Sequence, residues 1–149
     1  MQAWRLPEKD CTVSSKSQTL DCPCGKTSAK GKPLAYADCC GRYIDDWDDQ
    51  PAPDARALMR SRYTAFVRED ARYLQATWHA SQRPQELDFD AGTKWLGLEV
   101  KDFKTTGGDR AEVEFVARYR VAGRAVRLHE RSRFVREAGR WYYVDGEQF

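Results

Sequence analysis

Cys22, Cys24, Cys39 and Cys40 lie in one short stretch, the first two as Cys-Pro-Cys-Gly and the last two adjacent, before Gly41. Four thiolates fill a tetrahedral shell and select Zn²⁺, an ion with no electronic preference of geometry. With every position taken by protein, such an ion is structural. Pro23 stiffens the first pair, and Gly25 and Gly41 are expected to supply the positive φ angles of a tight metal turn. A disulfide cluster and unrelated buried thiols are the alternatives. No secretory signal pattern opens the chain, so the cysteines are expected in a reducing, cytoplasmic compartment, which favours metal. Cys11 is the odd thiol and is read as free, because zinc closes at four. Gly25-Lys26-Thr27 imitates the tail of a phosphate-binding loop, but Leu20 stands where that loop needs its first glycine.

A second set of residues could do chemistry further on. Glu130 and Ser132 interrupt the apolar face of a strand between Leu128 and Phe134. A buried carboxylate needs a cation, a proton, water or a ligand. Arg62 is the matching anomaly, a cation between Leu58 and Phe66 on the apolar side of a helix. The two are expected to meet through paired hydrogen bonds, which would keep Glu130 ionised and a poor general base at neutral pH. Trp78-His79 ends a second helix. The expected pocket is therefore Arg62, Tyr63, Trp78, His79, Glu130 and Ser132. A catalytic alternative makes Glu130 the base, with Tyr63 or His79 donating to a developing oxyanion.

These residues need positioning. The apolar residues Leu58, Met59, Tyr63, Phe66 and Val67 recur at helical spacing and predict a helix over 54–69 capped by Asp54. A shorter helix is expected over 71–77. From Trp95 the period is two: Leu96, Leu98 and Val100 are expected inward, Gly97, Glu99 and Lys101 outward. Gly107-Gly108 turns the chain, and Gly123-Arg124 fits a two-residue hairpin that sets Val121 opposite Val126, Phe115 opposite Ser132 and Ala117 opposite Glu130. A last turn at Ala138-Gly139 places Tyr143 opposite Phe134. The result is an antiparallel meander with one buried face.

The 149 residues are 41% hydrophobic and carry a net charge of only +2, too small to imply nucleic acid by itself. Residues 44–54 hold five Asp and no base, so an acidic strip separates two mildly basic parts. No apolar run reaches the length of a membrane span. Four segments follow: a polar extension over 1–19, expected to be mobile; the cysteine motif over 20–43, with little core of its own; an acidic spacer over 44–53, read as solvated; and the main domain over 54–149.

The cysteine stretch, with Tyr36 in its spacer, resembles the SEC-C zinc motif at the carboxy-terminal end of the SecA translocation motor. Its spacer, residues 25–38, is longer than that motif's. The helices followed by a curved meander with polar groups inside resemble the nuclear transport factor 2-like (cystatin-like) cone. Ala57-Leu58-Met59-Arg60-Ser61-Arg62-Tyr63, Thr77-Trp78-His79, Glu130-Arg131-Ser132-Arg133-Phe134 and Trp141-Tyr142-Tyr143-Val144-Asp145-Gly146 make the whole similar to the bacterial YchJ family. The expected class is α+β, a small zinc-binding motif followed by that cone. The resemblance implies a binding or adaptor protein whose zinc motif docks on a protein partner, a SecB-like chaperone or the ribosome, while the cone holds a small ligand or peptide. RNA binding by Arg118, Arg120, Arg127, Arg131 and Arg133 is a further reading; Glu112 and Glu114 break that face, and DNA is not expected.

Overall fold

The computed structural model describes residues 20–149; Cys11 and the 1–19 extension lie outside them. After a 3₁₀ turn at Tyr36–Asp38 come three helices, α1 (Gly41–Ile44), α2 (Ala55–Val67) and α3 (Ala71–Ala76). The Asp54 carboxylate accepts from Ala57 N at 2.7 Å, the capping bond its position predicts. Asp70 does the same for α3 through Tyr73 N. Helix α2 ends at Val67, short of Glu69, because Glu69 turns to φ 55° and Asp70 N then bonds back to Ala65 O.

Four strands form one antiparallel sheet in sequence order: β1 (Lys94–Gly107), β2 (Arg110–Val121), β3 (Arg124–Glu137) and β4 (Arg140–Gln148). The expected meander is present, but two details of its register differ. The β2–β3 loop is Ala122-Gly123, both at positive φ, so Val121 faces Arg124 and Phe115, not Ala117, faces Glu130. A hairpin with two positive-φ residues matches strand twist, yet alanine at the first gives no sequence cue. The slip is two residues, so every side chain keeps its face. In β1 the ladder shifts between Trp95 and Gly97, which turns Trp95 inward and leaves Leu96 44% exposed. At the last turn, Phe134 faces Tyr143 as expected.

Helix α2 lies against the sheet, and the chain after α3 is sewn to β4 by Tyr143 N to Thr77 O (2.8 Å) and His79 N to Tyr143 O (2.7 Å). Leu58 and Leu74 are fully buried beneath it, a burial worth about 1.5–3 kcal/mol each. The Asp side chains of the 44–53 stretch are exposed, as a solvated spacer requires, but its apolar residues anchor it to the domain. Ile44 and Ala52 are buried, Trp47 meets Tyr73 edge-on at 5.9 Å, and the Arg140 guanidinium donates to the Trp47 and Asp48 carbonyl oxygens. The basic group thus reaches backbone carbonyls, not the Asp carboxylates.

The cysteine motif also shares the main core. Its long spacer folds as a small hairpin with bridges Asp21–Ala35 and Thr27–Pro33, closed by Ser28 N to Lys32 O at 2.8 Å. All four cysteines belong to the same apolar cluster as Leu58, Phe115 and Trp141.

Candidate functional site

The four cysteine Sγ atoms lie within 4.8 Å of one another and all four residues are buried. No disulfide joins them. A tetrahedral set of sulfurs at about 2.3 Å from one ion has edges of roughly 3.8 Å; Cys24 and Cys39 already stand 3.6 Å apart. The donor set fits a single metal ion. Gly25 adopts φ 79°, as the turn requires, but Gly41 does not. Gly41 is needed for closeness instead: a Cβ there would sit 2.7 Å from both the Tyr36 ring and its carbonyl oxygen. The tail of the turn therefore closes over Tyr36, whose ring is stacked beneath Arg68 and whose hydroxyl donates to Asp45. Helix α2 supports the cluster directly, with Thr64 Oγ1 3.6 Å from Cys22 Sγ and Arg60 donating to Cys24 O at 3.1 Å.

On its other side α2 roofs a cavity of about 460 Å³. Met59, Arg62, Tyr63 and Phe66 come from the helix, Trp95 from β1, Phe115, Ala117 and Tyr119 from β2, Leu128, Glu130 and Ser132 from β3, and Tyr143 from β4. Of the six residues expected there, Arg62, Tyr63, Trp78, Glu130 and Ser132 line it. His79 does not. Its ring nitrogens bond Ser81 Oγ (2.7 Å) and the Glu137 carboxylate (2.8 Å) on the outside, because the β4 pairing that fixes Trp78 inward turns the next side chain away.

Arg62 and Glu130 share this cavity but form no ion pair within 4.0 Å. Arg62 Nη1 donates instead to Leu74 O (2.8 Å) and Thr77 Oγ1 (2.6 Å), and its guanidinium lies over the Trp78 and Tyr143 rings at 5.0 and 4.6 Å. Burial lowers its pKa to about 10. Glu130 Oε2 accepts from Ser132 Oγ (2.7 Å) and the Tyr143 hydroxyl (3.3 Å). Tyr143 therefore stands between the two charges, its face to the cation and its hydroxyl to the anion. Burial pushes the phenols of Tyr143 and Tyr63 up, Tyr63 to about 12. Trp78 Nε1 is buried without an acceptor among the described residues.

Sequence reasoning missed Tyr143 and Gly146. The signal for Tyr143 was present, since its partner Phe134 points inward. Gly146 is visible only in three dimensions: a Cβ there would lie 2.1 Å from Glu130 Oε2.

The outer face of the sheet carries the arginines proposed for RNA. The register sets Glu114 against Arg131 and lets Arg133 meet Asp145 at 2.6 Å and Arg118 approach Glu99 at 3.8 Å. Acids thus break up the face around Arg118, Arg131 and Arg133, while Arg120 and Arg127 are exposed and form no ion pair among the described residues.

Fold and site define a class: a SEC-C-type cysteine motif joined to a nuclear transport factor 2-like domain. A family model described as the YchJ middle NTF2-like domain matches residues 54–146. A UPF0225 protein of Polaromonas sp. (strain JS666) is 68% identical over 85% of this chain and 91% of its own length. A second, from Polaromonas naphthalenivorans, is 61% identical over 88% and 99%. The chain belongs to the YchJ (UPF0225) family. The solution structure of a SEC-C motif containing protein from Rhodopseudomonas palustris is 34% identical, with a TM-score of 0.72 over 87% of this chain and 99% of that one. A crystal structure of a SEC-C motif containing protein from Psychrobacter arcticus gives the same score and identity over 86% and 82%. Among the described residues no helix is long and apolar enough to cross a membrane.

Proposed function

We propose that the protein is a zinc-containing binding protein, with Zn²⁺ held structurally by Cys22, Cys24, Cys39 and Cys40 and a small molecule held in the cone. The observation that carries the ligand reading is the cavity of about 460 Å³, apolar and aromatic over most of its wall with a few buried polar groups. That size and lining suit a small organic ligand. Zinc is favoured by the four-sulfur donor set, which leaves no open coordination position. The metal would fix the spacer hairpin, whose tip presents Lys26, Lys30 and Lys32 to solvent. That exposed tip supports docking on an acidic protein surface or a ribosome, with a SecB-like chaperone as the candidate by analogy to SecA. The catalytic reading keeps Glu130 and Tyr63 in the cavity and loses His79, which sits outside it; binding is the role we put first, on the cavity's largely apolar lining.

The ligand reading is tested by adding toluene to isotope-labelled full-length protein and following the indole N–H resonances of Trp78 and Trp95. Both should shift on titration. Ala117→Phe, which fills the cavity from β2, should abolish the shifts while leaving the fold intact. Equal shifts in the variant would place the toluene elsewhere and remove the support for a cone ligand.

A further inference from the structure

Two opposite charges face the cavity, and neither touches a counter-ion. Arg62 is 5% exposed and is gripped only by neutral groups: the Leu74 carbonyl, the Thr77 hydroxyl and the Trp78 and Tyr143 rings. Glu130 is 8% exposed and is held by the Ser132 and Tyr143 hydroxyls, packed against Gly146. An unpaired buried charge is costly, and a fold that keeps two of them one phenol apart keeps them for something. Trp78 Nε1–H, in the ring stacked on Arg62, is a buried donor with no acceptor among the described residues. A cation without a counter-ion and a free indole donor thus lie at the helix side, and a carboxylate without a counter-ion at the sheet side. Apolar and aromatic surface surrounds both.

On the reading of the cone as a ligand pocket, we infer that its ligand is a small zwitterion with an apolar body, of the class of amino acids with large apolar side chains. The carboxylate lies against the Arg62 guanidinium, the ammonium against the Glu130 carboxylate, and the side chain fills the space between Phe115, Leu128 and Trp95. Charge bookkeeping selects this class over its neighbours. A plain carboxylate would add an anion to a chamber that already holds Glu130. A plain amine would face Arg62, and a wholly apolar molecule would leave both charges unpaired. The other charged group on the wall, Asp90, is exposed at the mouth and adds only to the attraction for an amine. His129, Glu114 and Arg131 pair with one another on the outer face and do not reach the cavity.

Titration calorimetry on the full chain tests this with L-phenylalanine, L-tryptophan, N-acetyl-L-phenylalanine, phenethylamine and toluene. The two amino acids should bind and shift the Trp78 indole N–H resonance. Masking either charge should weaken binding at least about tenfold, the scale of one charge-assisted hydrogen bond. Glu130→Gln, which preserves shape, should erase the preference for L-phenylalanine over its N-acetyl derivative. Equal or tighter binding of the N-acetyl derivative or the amine by the native protein overturns the zwitterion. Toluene binding with neither amino acid bound overturns it too, and leaves the pocket reading standing. No response to any probe, toluene included, overturns both.

Discussion

Gly146 lies beside the Glu130 carboxylate at a distance that only a glycine permits, and Gly146→Ala measures what that contact is worth. Its φ is not among the positive ones, so alanine is tolerated by the backbone and should on that ground alone be neutral or slightly stabilising. The added Cβ would stand 2.1 Å from Oε2, 2.6 Å from Cδ and 3.0 Å from Cγ of Glu130. The carboxylate has to swing away, losing the 2.7 Å bond from Ser132 and the 3.3 Å bond from Tyr143. Hydrogen bonds to a charged group contribute about 1.5–3 kcal/mol, and the Ser132 hydroxyl, 2% exposed, is left without its acceptor. The expected loss is about 2–4 kcal/mol, read from urea unfolding midpoints at unchanged slope. In a Glu130→Ala background the same substitution meets empty space and should cost less than about 0.5 kcal/mol, giving a coupling energy of at least about 1.5 kcal/mol. Additive losses would refute the contact, and with it the placement of the carboxylate in the cavity wall.

Three further outcomes follow from other contacts. The cycle Arg62→Met with Glu130→Leu should show coupling below about 1 kcal/mol in denaturant unfolding, far from the 3–5 kcal/mol cost of breaking a buried ion pair; a coupling in that higher range would mean the charges meet after all. Gly41→Ala drives a Cβ into the Tyr36 carbonyl and should cost at least about 2 kcal/mol, with faster zinc loss to a competing chelator; unchanged metal retention would contradict the closeness assigned to that turn. Tyr63, buried and raised from 10 to about 12, stabilises the fold fully below pH 10, and that contribution is lost as pH climbs from 10 through 12, where the unfolded phenol ionises first. Thermal unfolding across that window should show the native protein losing about 2–3 kcal/mol more than Tyr63→Phe, and parallel curves would sink the assignment.

The parts of this structure legible in the sequence are those set by local chemistry. Asp54 announces its helix because a carboxylate there has one obvious task, and the alternation of β2 and β3 marks an inward face that exposes Glu130 and Ser132 as intruders. The cysteines advertise themselves by spacing. What stayed hidden depends on backbone events with no residue signature. Ala122 at positive φ moved the β2–β3 register by two, and a bulge at Trp95 left Leu96, expected inward, exposed while Trp95 joined the cavity wall. The Arg62–Glu130 pair failed for a different reason: both charges were correctly placed inside, but the Tyr143 ring occupies the gap and its hydroxyl satisfies the carboxylate. His79 was misplaced because a side chain next to an inward one on extended chain points the other way.

The cysteine motif was read as having little core of its own, and its packing against α2 sets what removing a metal should do. Loss of the ion should lower the unfolding temperature of the whole chain, because Cys22 and Cys24 rest on Thr64 and Arg60. The most direct test of the account is the zinc-to-protein ratio, by elemental analysis, of full-length protein purified without added metal. The account predicts one zinc per chain, falling sharply in Cys24→Ser and unchanged in Cys11→Ser. Metal-free protein in which residues 20–42 keep the same hydrogen-bonded hairpin would contradict it.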